Sequence, residues 1–155
     1  MKILILSAII LSAASCSSGN TYSCSDRGVL EINNLMLREH FVNYAKENRL
    51  DLKNSVITVE ISRIDTVDYY LISSSKSNPF EYKNKPFAYS NVNNIWVVFF
   101  NKYQNPFDTN EIERDFLRQL KENKVFLSNG LIFHNPKYLE LRVVRNIVIG
   151  SKYLN

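Results

Sequence analysis

SVITVEISRI, residues 55–64, alternates apolar and polar side chains: Ile57, Val59 and Ile61 fall on one side of an extended chain, Thr58, Glu60 and Ser62 on the other. A period of two over this length predicts a half-buried strand of an antiparallel sheet. Outward toward the C-terminus, a polar turn at Asp65-Thr66 leads to a second strand, Asp68 to Ser75. IWVVFF, residues 95–100, contains no polar residue, which predicts a central strand buried on both faces. Outward toward the N-terminus, Leu37, Phe41 and Ala45 recur at intervals of four with Met36 and Tyr44 beside them. Arg38, Glu39, Lys46 and Glu47 lie mostly elsewhere, so Leu30 to Arg49 is expected to hold an amphipathic helix ending near Asn48.

A second helix is predicted from Asp108, where Glu111 three residues later gives a capping-box pattern. Ile112, Phe116, Leu117 and Leu120 form its expected buried stripe, and Lys121 and Lys124 complement the dipole at its end. Asn129-Gly130 between apolar runs predicts a hairpin, since both residues accept positive φ. Tyr138 to Ile149 is long enough for one bent strand or two short ones. The expected fold is α+β: a single domain with an antiparallel sheet of about five to seven strands packed with two helices.

The N-terminus has a separate purpose. Met1-Lys2 supplies one charge and Ile3 to Leu11 is an aliphatic run broken only by Ser7. Such a run falls short of the roughly 20 apolar residues a helix needs to span a bilayer, and small residues (Ser12, Ala13, Ala14, Ser15) follow it, as at a signal-peptide cleavage site. With Cys16 next, residues 1–16 resemble the lipobox signal of bacterial lipoproteins. Ala14 and Ser15 suit the two positions before the cysteine. Ala13 stands where leucine is usual, a departure more typical of Bacteroidota.

The resemblance implies cleavage before Cys16, lipid on Cys16, and attachment to an envelope membrane. Ordinary cleavage after Ser15 is the alternative, leaving Cys16 and Cys24 to form a short disulfide loop. Three regions follow: a signal peptide (1–15), a lipidated cysteine and flexible tether (16–28), and a globular domain (29–155). A twelve-residue tether (17–28) reaches about 40 Å when extended. Bacteroidota lipoproteins sent to the cell surface carry an acidic run after the cysteine, and this chain has none. The expected location is therefore the periplasmic face of the outer membrane.

The chain has 155 residues, 45% hydrophobic and 22% charged, with a formal net charge of +4, the composition of one ordinary globular domain. Its basic residues are scattered rather than gathered into a stripe, which argues against nucleic acid as a partner. The two histidines, His40 and His134, have no ligand-spaced neighbour, and Cys24 lies in the expected tether. No metal or cofactor is therefore expected. Four glycines cannot build a phosphate-cradling loop, and serine-hydrolase, Walker and Rossmann patterns are missing. Carboxylate pairs for acid–base work could come from Glu60 with Glu140, or Asp65 with Asp68, but isolated acids of this kind more simply decorate a surface.

One feature stands apart. NPFEYKN (78–84) is followed by KPFAYSN (85–91), a tandem near-repeat of Pro-Phe-x-Tyr. Phe80, Tyr82, Lys83, Lys85, Phe87 and Tyr89 could form an aromatic, basic surface for a protein partner. Alternatively the segment is an edge strand and loop whose aromatics cap the core. The function expected is an envelope-anchored lipoprotein with a non-catalytic protein-binding domain, held to the bilayer by the Cys16 acyl chain and binding another envelope protein. Small lipoproteins of this composition resemble immunity proteins that neutralise toxins. The other possibilities are an accessory subunit of an envelope assembly or uptake system and, behind it, a small hydrolase.

Overall fold

The computed structural model describes residues 22–24 (backbone only), 29–101, 109–130, 136–145 and 147–154. Cys16 and His134 lie outside them. In chain order the elements are β1 (Tyr22–Cys24), β2 (Leu30–Ile32), α1 (Leu35–Glu47), β3 (Val56–Ile64), β4 (Val67–Ser75), a single 3₁₀ turn (Pro79–Glu81), β5 (Ala88–Val92), β6 (Ile95–Asn101), α2 (Thr109–Glu122), β7 (Tyr138–Val144) and β8 (Ile147–Leu154). Strand β1 falls within the stretch expected as tether and pairs antiparallel with β2, Cys24 opposite Leu30.

Three two-residue turns organise the sheet. Asp65-Thr66 joins β3 to β4 with Asp65 at φ +55°. Asn93-Asn94 joins β5 to β6 with both residues left-handed, at +52° and +65°, the conformation of a type I′ hairpin turn. A turn that includes Arg145, at +47°, joins β7 to β8, so Tyr138 to Ile149 holds two strands. The six strands lie in the order β5-β6-β3-β4-β7-β8.

The α+β architecture matches expectation, but the sheet is mixed. Strand β6 runs parallel to β3, with Ile57 opposite Val97 and Val59 opposite Phe99, while the other pairs are antiparallel. Parallel neighbours need a long connection and cover on both faces. The segment from Lys76 to Val92 supplies the first, and the unbroken apolar run of β6 already signalled the second.

Each helix covers one face. Asn34 caps α1 through its side-chain oxygen, which accepts from the Leu37 amide at 3.1 Å. Leu37, Phe41, Tyr44 and Ala45 of α1 are buried with Ile57, Val59, Tyr70, Ile72, Val97, Phe99 and Leu141. On the opposite face Ile112, Phe116 and Leu120 of α2 pack with Val56, Tyr89, Trp96, Val98 and Phe100. Beyond the reach of α2 this second face is polar. It carries Thr58 bonded to Ser73 at 2.7 Å, Glu60 and Glu140 on either side of Leu71, and Arg142 beside Tyr69.

Local expectations needed correction at three places. Leu30 and Ile32 belong to β2 rather than α1, because the helix starts only where Asn34 can cap it. Leu117 is 39% exposed, the narrow stripe of α2 being complete with Ile112, Phe116 and Leu120. Phe126 and Leu127 form no hairpin strand. Instead the Phe126 amide donates to the Lys53 carbonyl and the Ser128 amide to the Lys76 carbonyl. Gly130 is left-handed at φ +82°, but the five residues after it lie outside the described ones.

Candidate functional site

The Pro-Phe-x-Tyr tandem is placed first, since its six side chains were the candidate gripping surface. Asn78 caps the 3₁₀ turn and directs Phe80 inward, 1% exposed, with its ring 5.5 Å from Phe116. Tyr82 is half-buried, stacked on Phe100 at 6.2 Å, and shares a 2.6 Å hydrogen bond with the Ser75 hydroxyl. Phe87, 7% exposed, precedes β5 and joins the α1-side core. Tyr89, 2% exposed, lies in the α2-side core between Trp96 and Phe116, and its hydroxyl donates to Asp115.

Lys83 points to solvent, and the Lys85 ammonium donates to the Phe80 carbonyl. Phe80, Phe87 and Tyr89 therefore spend their surface on the two cores, while Tyr82 stays partly exposed. The sequence repeat is not a structural repeat, because its first copy is a loop and its second runs into a strand.

A cleft of about 540 Å³ opens where α1 ends, lined by Glu47, Asn48, Pro136, Lys137, Tyr138, Tyr153 and Leu154. It adjoins a second, of about 590 Å³, that shares Glu47, Asn48, Pro136 and Lys137 and reaches Ser74 and Lys76. The polar groups here are committed to one another. The Tyr153 hydroxyl donates to the Glu47 carboxylate, and partial burial beside that carboxylate pushes the phenol up to about 12, so it stays a donor at neutral pH. The Tyr44 hydroxyl donates to the Lys137 carbonyl at 2.5 Å.

His40 lines neither cleft; partial burial lowers its pKa while Glu39 opposes the shift. Of the expected carboxylate pairs, Glu60 and Glu140 lie on one face of the sheet on either side of Leu71. Arg63 grips Asp68 in a bidentate pair at 2.6 and 2.9 Å, Asp65 sits in the turn, and Glu140 pairs with Lys152 at 3.3 Å. Among the described residues no three His, Cys, Asp or Glu side chains are grouped as metal ligands, and no helix is long and apolar enough to cross a membrane.

The two margins of the sheet differ. The β5 margin is covered: Val29 bridges to Tyr89, and β2 packs beside β5. Along β8, among the described residues, β7 is the one strand that pairs with it. Ile147 and Ile149 on β8 are 59% and 55% exposed. Arg142 of β7 folds over Gly150, where a Cβ would stand 2.7 Å from its guanidinium. Five strand spacings separate the margins, about 24 Å. The exposed Ile147 and Ile149 were legible as apolar positions in the sequence, but not as a margin without knowing the strand order. Compared with protein-family models, curated proteins and solved structures, the chain matches none.

Proposed function

We propose that this chain is an envelope lipoprotein, anchored through Cys16 on the periplasmic face of the outer membrane, whose domain binds another envelope protein without catalysing a reaction. The observation that carries the reading is the opposition of the two sheet margins. The chain passes from the candidate anchor into the β1–β2 ribbon on the β5 side, whereas the apolar margin of β8, which among the described residues pairs with β7 alone, lies on the far side of the sheet. Because β1 begins at Tyr22, five residues (17–21) separate the anchor from the first paired residue, a reach of about 20 Å over the six steps from Cys16 to Tyr22. Lipid would then hold one margin near the bilayer and leave the other toward the periplasm. Exposed apolar residues on an open sheet margin are a common basis for protein association.

The test is the intact mass of the membrane-fraction protein beside a Cys16→Ser control. A lipid-sized mass increase that vanishes in the control supports the anchor. An unlipidated product beginning at Cys16, with Cys16 and Cys24 joined, refutes it and makes the domain a secreted one. Affinity recovery of the anchored form then addresses the partner. A toxin gene adjacent to this one would favour an immunity role, and transport components there an assembly or uptake role.

A further inference from the structure

We propose that the outer margin of β8 accepts an extended strand of the partner, and that this strand carries a carboxylate facing Gly150 and Lys152; the inference rests on the protein-binding reading above. A margin strand leaves backbone N–H and C=O groups unpaired on alternate residues, and their natural complement is another strand. Proteins usually blunt such margins with proline, outward lysines, bulges, short strands or a cover, and of these devices β8 carries a bulge in its pairing with β7. This chain covers β5. Along β8 there is no proline in eight residues, and the single lysine, Lys152, is turned onto Glu140. A bulge at Arg142/Val143 bends the pairing with β7.

Charge selects the occupant. Residues 150–154 alternate between the two faces in register with β7, so a second copy pairing antiparallel must be centred on a residue to match faces. Centred on Ser151, it sets the second copy's Lys152 opposite Gly150, under the Arg142 guanidinium. Centred on Lys152, it sets lysine against lysine. Like charges directly opposed destabilise a strand pair. Arg142 has no ion-pair partner among the described residues, and Arg145 is exposed at the nearby turn. An incoming strand with a glutamate or aspartate at this position meets the Arg142 cation, while apolar residues toward its ends meet Ile147, Ile149 and Tyr153.

The experiment uses the chain from residue 16 with Cys16→Ser, isotopically labelled, and two capped nine-residue peptides of alternating valine and threonine with a central glutamate or lysine. The glutamate peptide is expected to bind about tenfold more tightly than the lysine peptide and to slow amide exchange along Ile147–Leu154. Arg142→Glu should reverse that order, and Ile149→Lys, at an exposed position, should weaken both peptides. Equal affinity for the two peptides, or protection confined to other strands, overturns the proposal. Concentration-dependent protection of β8 without peptide overturns it in favour of a second copy. Loss of the lipid mass with these peptide results intact removes the anchor alone; a partner footprint away from β8 removes the strand-acceptor inference and leaves protein binding standing.

Discussion

Replacing Phe80 by alanine separates a core aromatic from an interface aromatic. The ring is almost wholly buried against Phe116, in a cluster that also holds Tyr89 and Trp96. Truncating such a ring removes its transfer free energy and leaves a cavity, about 3–5 kcal/mol together. In a domain of this size each kcal/mol lowers the melting temperature by about 3–5 °C, so a fall of about 10–20 °C is expected. Tyr82→Phe removes only the hydroxyl shared with Ser75, whose own bond to the Ser77 carbonyl at 3.0 Å survives; the cost is about 1 kcal/mol. Lys83→Ala, at a solvent-facing position, should stay within about 0.5 kcal/mol. Thermal and urea denaturation followed by circular dichroism ranks the three, with a constant urea slope confirming that the same surface is exposed. A Phe80→Ala melting point within about 3 °C of the parent would refute this placement and return the tandem to the role of a gripping surface.

Three further outcomes are expected. Tyr44→Phe removes the part-buried hydrogen bond to the Lys137 carbonyl and should cost about 0.5–1.5 kcal/mol in urea midpoints, a loss smaller than about 0.3 kcal/mol counting against the contact. Burial holds His40 below its ordinary 6.5, so the unfolded chain takes up a proton at a higher pH than the folded one. The stability this contributes is complete above about 6.5 and is lost as pH falls through that value toward the lower folded pKa. His40→Gln should flatten the slope between pH 7 and 5, and an unchanged slope rejects the assignment. Asn94 is left-handed, so Asn94→Val should cost about 1–2 kcal/mol while Asn94→Gly is tolerated; equal melting points for both variants would contradict the turn.

Residues whose periodicity is set by their own burial were readable in advance. Ile57 and Val59 announced β3, the run from Ile95 to Phe100 announced a strand covered on both faces, and Ile112, Phe116 and Leu120 announced the stripe of α2. What depended on distant partners was not readable. Whether β6 lies parallel or antiparallel to β3 is decided by the path of residues 76–92, to which side-chain alternation is blind. Asn129-Gly130 looked like a hairpin turn, yet the backbone leading into it is bound elsewhere, Phe126 to Lys53 and Ser128 to Lys76, and the residues after Gly130 lie outside the described ones. The candidate surface moved for the same reason. The Pro-Phe-x-Tyr repeat singled out Phe80 and Tyr89, but the α2-side core had first use of them, and the β8 margin follows from the strand order of the described residues. Cys16, on which the proposed anchor depends, is legible only as a motif, since it lies outside the described residues.

The sheet is three hairpins laid side by side, and this gives its assembly a direction in time. The β3–β4, β5–β6 and β7–β8 pairs each close over two residues, an event of microseconds. Joining them through β3–β6 and β4–β7 brings together segments many tens of residues apart, at a much larger loop-closure cost. Both joints use the middle hairpin, so β3 and β4 are the template on which the outer pairs find register. Substitutions there should retard folding, while those in β8 should chiefly hasten unfolding. The strand offered to a partner would then be the part whose loosening least delays recovery of the whole.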